Sequence, residues 1–329
     1  MRFPSSRRAA FARVALGLSA VAMGLTSVAA GAAEWPRQIT IVVPFPPGGV
    51  TDQLARGVGQ KLAENLKTTV IVDNRPGGGA QVAANMVKHG PADGSMIFIG
   101  DIGAFALNQA LYSKLNYSIQ KDFAPLARLV LAPSFLVVPA DSPLNTMADF
   151  IAAARRQPLN MASQSTGSGG HLFTELIQQQ AGIKLNHVPY RGSAPALNDL
   201  VGKQVDAFFD PLITSSPFVK DRKLKALAIG TEQRFAQFPQ VPTLREAGWG
   251  QANVVAWFAM AVRAGTPEAV TTRLSEEVVK AMRSPDVARR FTDQGLEVAT
   301  MGNIEFKGFL DTEIKHWGKV IRDADIRLD

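Results

Sequence analysis

The hydrophobic and polar positions of this chain fall into short apolar runs that alternate with amphipathic stretches. The run Ile39–Val43 is continuous and largely β-branched, which is typical of a strand that is covered on both faces. The stretch that follows places Leu54, Val58, Leu62 and Leu66 on one helical face. Because this alternation recurs along the chain, the sequence predicts an α/β architecture with mostly parallel sheets flanked by helices.

The same patterns predict most of the remaining elements. Further strands are expected at Thr69–Asp73, Met96–Gly100, Leu159–Ala162, His187–Tyr190, Val205–Asp210 and Leu224–Gly230. Further helices are expected at Gln81–His89, Thr146–Gln157, Gly170–Ala181 and Ala194–Gly202, and from Pro267 and Pro285 onward.

Two long apolar strands, Leu126–Pro139 and Asn253–Val262, each separate one block of alternating strands and helices from the next. We interpret them as the two crossovers of a bilobed protein. The predicted domains are lobe 1, residues 34–131 plus 258–329, and lobe 2, residues 132–257.

Residues 1–33 carry the pattern of a secretory signal peptide. Four arginines precede the apolar run Val14–Leu25, and the Ala-rich Val28–Ala33 offers small-residue cleavage sites. The apolar run is too short to span a membrane. Export by the general secretory route is favoured over the twin-arginine route, and a bacterial periplasm is the predicted location.

Composition narrows the function classes. Without the signal arginines the formal net charge falls from +7 to +3, and no basic stripe interleaves with aromatic residues, so nucleic acid is not an expected partner. The chain has no cysteine, which excludes disulfides, thiolate metal sites and cysteine nucleophiles. Apart from His171 and Glu175, its four histidines show no metal-ligand spacing, and that i,i+4 pair is more often a surface hydrogen bond than half of a metal site. Neither a metal nor a cofactor is therefore expected.

Three glycine-rich turns follow predicted strands: Pro46–Thr51, Asn74–Ala80 and Ser163–His171. In open α/β sheets, ligands bind outside the carboxyl ends of the strands, where such turns lie. Backbone N–H groups at the start of the following helix favour an anion. We interpret the first and third turns as ligand cradles, one in each lobe, and Asn74–Ala80 as an ordinary turn.

Acidic and basic residues near these turns have two interpretations each. Asp101 follows the strand Met96–Gly100, where it is either a turn-capping residue or a ligand acceptor, and the two are equally favoured. For Asp210 the structural role is favoured. Arg191 faces either an anionic ligand or solvent. The backbone amides of Ser193 and Ala194, at the start of the next helix, are better candidates than Arg191 for binding an anion.

An enzymatic interpretation is the weaker alternative. The third turn lacks the first glycine of a nucleophile elbow, because Thr166 stands in its place ahead of Ser168. A serine hydrolase using Ser168 and His171 would need the base on the same short turn as the nucleophile. Neither a Walker lysine nor a dinucleotide fingerprint occurs in the three turns.

Several stretches together resemble the solute-binding receptors of tripartite tricarboxylate transporters, the Bug family. They are PFPPGGVTDQLAR, VDNRPGGGA, PADGS, ALYSKLNYSIQKDFAPL, HVPYRGSAPALNDLVGKQVDAFFD and QVPTLREAGW, in that order along the mature chain. The resemblance implies a two-lobed periplasmic binding protein of the Venus flytrap type. Such a protein is not an enzyme, and it closes on a small organic acid, amino acid or related carboxylate.

The resemblance also implies which residues hold the ligand, mainly through main-chain groups. The candidate ligand-binding residues are Phe45, Pro47, Gly48, Gly49, Val50, Thr51, Asp101, Ser165, Thr166, Gly167, Ser168, Gly192, Ser193, Ala194 and Asp210. This chain departs from the family pattern at Ser165, where glycine is usual, and at Asp101, where a small hydroxyl residue is more common.

The sequence thus predicts a monomeric receptor that delivers a carboxylate-bearing solute to membrane transporter subunits. A sensory receptor that presents the same ligand to a signalling partner is the alternative that sequence does not separate from it. An acid at position 101 would repel a plain dicarboxylate and suit an amino acid, an amide or a hydroxylated ligand.

Overall fold

The architecture was obtained as a computed structural model that describes residues 36–252 and 254–328. The predicted signal peptide, residues 1–33, lies outside the described residues, as does Asn253. The strands are β1 (Gln38–Val43), β2 (Thr69–Asn74), β3 (Met96–Asp101), β4 (Phe123–Ala132), β5 (Ser134–Pro139), β6 (Leu159–Ser163), β7 (Leu185–Pro189), β8 (Ala207–Pro211), β9 (Leu224–Ile229) and β10 (Ala256–Arg263).

The helices fill the intervals between these strands and the C-terminal part of the chain. They are α1 (Val50–Leu66), α2 (Gln81–Lys88), α3 (Asn108–Leu111), α4 (Ile119–Asp122), α5 (Met147–Arg156), α6 (Gly169–Ala181), α7 (Ser193–Val201), α8 (Leu212–Lys220), α9 (Glu268–Arg283), α10 (Pro285–Thr292) and α11 (Asn303–Asp323). A π-helical turn, Gly103–Leu107, leads directly into α3.

The strands form two five-stranded sheets, in the orders β2-β1-β3-β10-β4 and β7-β6-β8-β5-β9. In each sheet three strands, built from successive strand–helix units, pair in parallel, and a fourth strand, β10 in the first sheet and β5 in the second, pairs antiparallel with its neighbours on both sides. Four of the five strands in each sheet therefore run in one direction, as predicted for mostly parallel sheets, and the reversed fifth strand makes each sheet mixed. The reversed strands are those that follow a passage between the sheets, since β5 begins after Pro133 and β10 begins after the segment that leaves β9.

The first crossover differs in detail from the single strand predicted at Leu126–Pro139. Pro133 interrupts it, so that β4 ends at Ala132 in the first sheet and β5 begins at Ser134 in the second. Proline has no N–H to donate to a ladder, which explains a break at this position. The second passage runs from the end of β9 at Ile229 to the start of β10 at Ala256.

The start of α1 is capped by neither Thr51 nor Asp52, although both residue types are favoured at helix N-caps. The N-cap is Gly49, which has no side chain, and the helix begins at Val50. The Asp52 carboxylate instead accepts a hydrogen bond from the Gly48 amide at 3.0 Å and holds the preceding turn in place. Asp52 therefore stabilises the turn before α1 and does not act as the N-cap of that helix.

Aromatic side chains hold the first sheet to the C-terminal helices. Phe105 contacts both Trp257 of β10 and Phe306 of α11, with ring centroids 6.0 Å and 6.1 Å apart. All three side chains are almost fully buried. Burial of a large apolar side chain contributes about 1.5–3 kcal/mol, so this cluster anchors the C-terminal helix on the N-terminal sheet.

None of the helices in the described part of the chain combines the length and apolar character that a membrane crossing requires.

Candidate ligand-binding site

A cleft of about 320 Å³ lies where the carboxyl ends of strands from both sheets meet. Its lining includes Phe45 after β1, Asp101 at the end of β3, the loop that follows β6, and Pro211 at the end of β8. Ligands of open α/β sheets bind at this edge. The volume is at the lower end of the range for small-molecule sites, so the cleft suits a small organic solute.

The loop after β6 is a tight turn that presents backbone amides to the cleft. Ser168 N donates to Ser165 O at 3.2 Å, and Gly167, the third residue of the turn, has φ +75°. The φ of Thr166 is negative and that of Gly167 is positive, which defines a type II turn. Such a turn favours glycine at its third position. The sequence Ser-Thr-Gly-Ser therefore folds locally into the loop that lines the cleft.

Two amides of this loop are available to a ligand. Within the described residues, no acceptor takes a hydrogen bond from the amides of Thr166 and Gly169. Gly169 is the first residue of α6, whose N-terminal end carries a partial positive charge. Together they form an anion site that needs no cationic side chain.

Asp101 stands on the wall contributed by the first sheet. Its Oδ1 accepts a hydrogen bond from the Ala104 amide at 3.1 Å, at the start of the π-helical turn. Burial raises the pKa of this carboxyl, although the amides of Ala104 and Gly103 partly oppose the shift. Asp101 therefore caps a turn, which is one of the two roles considered for it, and it also lines the cleft.

Asp210 lies behind the cleft and braces the loop. Its Oδ1 accepts hydrogen bonds from Ser193 Oγ at 2.5 Å and from Gln164 Nε2 at 3.2 Å. Its Oδ2 accepts one from Thr214 Oγ1 at 2.6 Å. Burial raises the pKa of Asp210 to about 6 despite these donors. The side chain is fully buried and reaches the cleft only through Gln164, which lines it.

The predicted site residues divide into two groups in the structure. Those that line the cleft are Phe45, Asp101, Ser165, Thr166, Gly167 and Ser168. Those that do not line it are Pro47, Gly48, Gly49, Val50, Thr51, Gly192, Ser193, Ala194 and Asp210. Of the second group, Pro47, Gly48 and Gly49 are solvent-exposed, and Ser193 and Asp210 support Gln164 from behind.

Other lining residues were not expected from the sequence. They are Gly79, Ala80, Ile102, Gly103, Ala104, Leu107, Asn108, Leu111, Tyr112, Ser134, Gln164, Gly169, Gly170, Pro211, Val254, Ala256 and Leu328. Gly79 and Ala80 belong to the turn interpreted as ordinary, and Asn108 Nδ2 donates to Gly79 O at 2.7 Å. Adjacency to strand ends is the signal that would have found Gln164 and Ser134.

A larger groove of about 1260 Å³ lies on the other side of β10. Ala256 lines the cleft while Trp257 lines the groove, as expected for successive residues of a strand. In the groove, Arg128 stacks over Phe309 and donates through Nε to Ala299 O at 2.9 Å. The groove does not include the loop Ser165–Gly169 or the ends of β1, β3, β6 and β8, so the smaller cleft is the candidate ligand site.

The geometry at Ser168 does not assemble the nucleophile and base of a hydrolase. Ser168 Oγ donates to Ser165 O at 2.7 Å, and His171 Nδ1 accepts from the Gly167 amide at 3.0 Å. Both groups are thus occupied within the loop, and no hydrogen bond joins Ser168 to His171. Their common role is to shape the turn.

Two mixed sheets with a cleft at their strand ends define the class of periplasmic binding proteins. Within that class, the chain belongs to the TctC family, the tripartite tricarboxylate transporter family receptors, whose pattern matches residues 54–326. The resemblance identified from the sequence is thereby confirmed, and the chain is a solute-binding receptor of this family.

Individual relatives agree with this assignment. A UPF0065 protein in the tcbD-tcbE intergenic region of Pseudomonas sp. (strain P51) is 36% identical over 288 residues, which is 87% of this chain and 85% of that protein. Protein BugT of Bordetella pertussis is 31% identical over 295 residues, covering 89% of this chain and 90% of BugT.

Solved structures show the same fold with carboxylates bound. R. palustris Rpa4515 with adipate has a TM-score of 0.75 and 34% identity, covering 88% of this chain and 98% of that one. MatC from Rhodopseudomonas palustris with bound malate has a TM-score of 0.70 and 32% identity, covering 86% and 98%.

Proposed function

We propose that this chain captures a small carboxylate-bearing solute in the periplasm and delivers it to the membrane subunits of a tripartite transporter. The observation that carries the proposal is the loop Ser165–Gly169, which presents unoccupied amides to the cleft at the start of α6. Adipate and malate, bound by two similar proteins, are carboxylates of the kind such a loop accepts.

The proposed mechanism is closure of two lobes around the ligand. Lobe 1 would comprise residues 34–131 plus 258–329 and lobe 2 residues 132–257. The membership of the two sheets supports this division, because the chain passes between them at Pro133 and again between Ile229 and Ala256. Two connections between the sheets suit a hinge motion. A monomer with no catalytic residue is sufficient for the role.

Affinity would come from charge-assisted hydrogen bonds between amides and the ligand carboxylate. Each is worth about 1.5–3 kcal/mol in a site that excludes water. Two or three such bonds, less the cost of ordering the lobes, give a dissociation constant that is roughly micromolar. The candidate donors are the amides of Thr166 and Gly169.

The test is calorimetric titration of the mature chain, residues 34–329, with adipate, malate and a panel of other carboxylates and amino acids. A compound at about 100 times its Kd should also stabilise the protein by about 2.7 kcal/mol in a thermal-shift assay. If no carboxylated compound binds, the proposal is wrong.

Thr166 offers a matched pair of variants for the loop. Thr166→Pro deletes the amide donor, and proline is favoured at the second position of a type II turn. Thr166→Val keeps the amide and deletes only the hydroxyl. We expect Thr166→Pro to weaken carboxylate binding by about 10- to 100-fold, the equivalent of one charge-assisted hydrogen bond. If the two variants bind carboxylates equally well, the Thr166 amide does not contact the ligand.

A further inference from the structure

Asp101 gives the cleft a negative pole that the capture of a carboxylate does not explain. Among the described residues that line the cleft, Asp101 is the only acidic one, and none is a lysine, an arginine or a histidine. Of the ion pairs within the described residues, none includes Asp101. The carboxyl thus lines a ligand cleft with no cationic partner from the protein.

The environment of Asp101 favours a cation from outside the protein. A carboxylate that is removed from water is costly unless a counter-charge or hydrogen-bond donors compensate it. The Ala104 amide supplies one donor to Oδ1 at 3.1 Å. Burial without a counter-charge raises the pKa of Asp101. A ligand ammonium group beside this carboxyl would favour its ionised form, because it supplies the missing charge together with further N–H donors.

The two poles of the cleft come from different sheets. The positive pole is the loop Ser165–Gly169 after β6, and the negative pole is Asp101 at the end of β3. A ligand that spans them must carry an anionic group at one end and a cationic or donor group at the other. A plain dicarboxylate satisfies the loop but places its second charge against Asp101.

We propose that the solute is zwitterionic, an amino acid or a related amino carboxylate, with its carboxylate on the Ser165–Gly169 loop and its ammonium group on Asp101. This assignment rests on the proposed receptor function and adds the class of ligand. Asp101 is then the residue that selects amino carboxylates over dicarboxylates.

Three matched pairs of compounds test the assignment: aspartate and succinate, glutamate and glutarate, and 6-aminohexanoate and adipate. In the first two pairs an amine is added to the dicarboxylate, and in the third an amine replaces one carboxylate. Dissociation constants for all six are measured by calorimetry with the wild type and with Asp101→Asn. Asparagine retains an oxygen that can accept the Ala104 hydrogen bond while it removes the charge.

The control is Asp93→Asn. Asp93 is an exposed turn residue whose Oδ1 accepts from the Ser95 amide at 2.8 Å, and it lies outside the cleft. Like Asp101, Asp93 accepts a hydrogen bond from a nearby backbone amide, but it does not line the cleft. Thermal midpoints of both variants show whether each is folded before binding is measured.

In at least one pair, we expect the wild type to bind the amine-containing member about 10-fold or more tightly than its partner. Asp101→Asn should reduce that preference by at least about 10-fold, and Asp93→Asn should leave it unchanged. A wild-type preference for the dicarboxylates, or an amine preference that survives in Asp101→Asn, overturns the assignment. If other carboxylates bind in that case, the receptor function stands, whereas the absence of binding by every carboxylate contradicts the function itself.

Discussion

His171 and His187 stack face to face behind the ligand loop, with ring centroids 3.8 Å apart and planes 3° from parallel. His187 Nε2 lies 2.6 Å from Ser163 Oγ, at the start of the loop. Because Ser163 Oγ donates its proton to Ser165 O, the histidine must be the donor in that contact. His171 Nδ1 accepts from the Gly167 amide, so the pair braces the loop at two points.

The first prediction concerns the pH dependence that His187 introduces. Burial, with a smaller contribution from the neighbouring His171, lowers the pKa of His187 to about 4. Between pH 6.5 and 4 the unfolded chain therefore binds a proton that the folded protein does not, so the free energy of unfolding falls as the pH falls. Allowing for partial exposure, we expect a loss of about 1–2 kcal/mol, which His187→Gln should abolish.

Urea unfolding of the wild type and of His187→Gln at several pH values in this range measures the difference. Parallel curves for the two proteins would show that His187 does not titrate with an altered pKa.

Asp210 is expected to change the free energy of unfolding in the opposite direction over a similar pH range. Burial raises its pKa to about 6, so between about pH 4 and 6 the folded protein keeps a proton that the unfolded chain has released. The free energy of unfolding therefore falls as the pH rises through this window, by about 2–3 kcal/mol at most. Asp210→Asn should remove this loss, so that its stability relative to the wild type improves from pH 4 to 6.

Because the slopes from His187 and Asp210 oppose each other, the wild type should show a shallow profile. Each single variant should then reveal the slope that the other residue contributes. A profile of Asp210→Asn that runs parallel to that of the wild type would contradict the raised pKa.

Gly167 provides a test that separates backbone conformation from ligand contact. Its φ of +75° disfavours any other residue, and a Cβ there would lie 3.2 Å from Leu111 Cδ1 and 3.3 Å from Leu328 Cδ1. Gly182, at the end of α6, has φ +59° with no atom within 4 Å of such a Cβ. Gly167→Ala and Gly182→Ala should both cost about 1–2 kcal/mol of stability from the left-handed conformation.

Only Gly167→Ala should also weaken carboxylate binding, by about 10-fold or more, because the added methyl group crowds the wall of the cleft. Calorimetry on the two variants makes the comparison. If the two variants bind carboxylates equally well, a methyl group at position 167 does not disturb ligand binding.

Local sequence patterns predict the position of those cleft residues that lie at or just after strand ends. Asp101 and Ser165–Ser168 line the cleft because a βα turn fixes its own position relative to the sheet. Asn74–Ala80 was interpreted as an ordinary turn, yet Gly79 and Ala80 line the cleft. A glycine-rich turn has the same sequence character in either role, so only its tertiary position separates them.

The rest of the cleft depends on contacts between residues that are distant in sequence. Leu328 reaches the cleft because its amide donates to Leu111 O at 3.0 Å, more than 200 residues away along the chain. The stacking of His171 on His187 likewise follows from the pairing of β6 with β7. Neither relationship leaves a periodic pattern in the sequence, so neither was predicted.

Asp52 should stabilise the exposed Pro-Pro-Gly-Gly turn through its charge. Its carboxylate accepts from the Gly48 amide at 3.0 Å, from Arg56 NH2 at 2.9 Å and from Asn74 Nδ2 at 3.1 Å. Burial acts to raise its pKa and is the largest single influence, but the donors together outweigh it and the pKa is lowered. This stability is present above pH 4 and is lost as the pH falls through the lowered pKa. Asp52→Asn should therefore cost about 1–3 kcal/mol at pH 7 and progressively less as the pH falls through the lowered pKa.

Arg56→Gln is the control for Asp52, because it removes one partner whose side chain is 52% exposed while the Gly48 and Asn74 contacts remain. Exposed ion pairs contribute little to stability, so this variant should be clearly more stable than Asp52→Asn at pH 7. Urea unfolding of both variants at pH 7 and pH 3 makes the comparison. If the two cost the same at pH 7, the ion pair rather than the turn amide dominates, and the role assigned to Asp52 at the Pro-Pro-Gly-Gly turn is wrong.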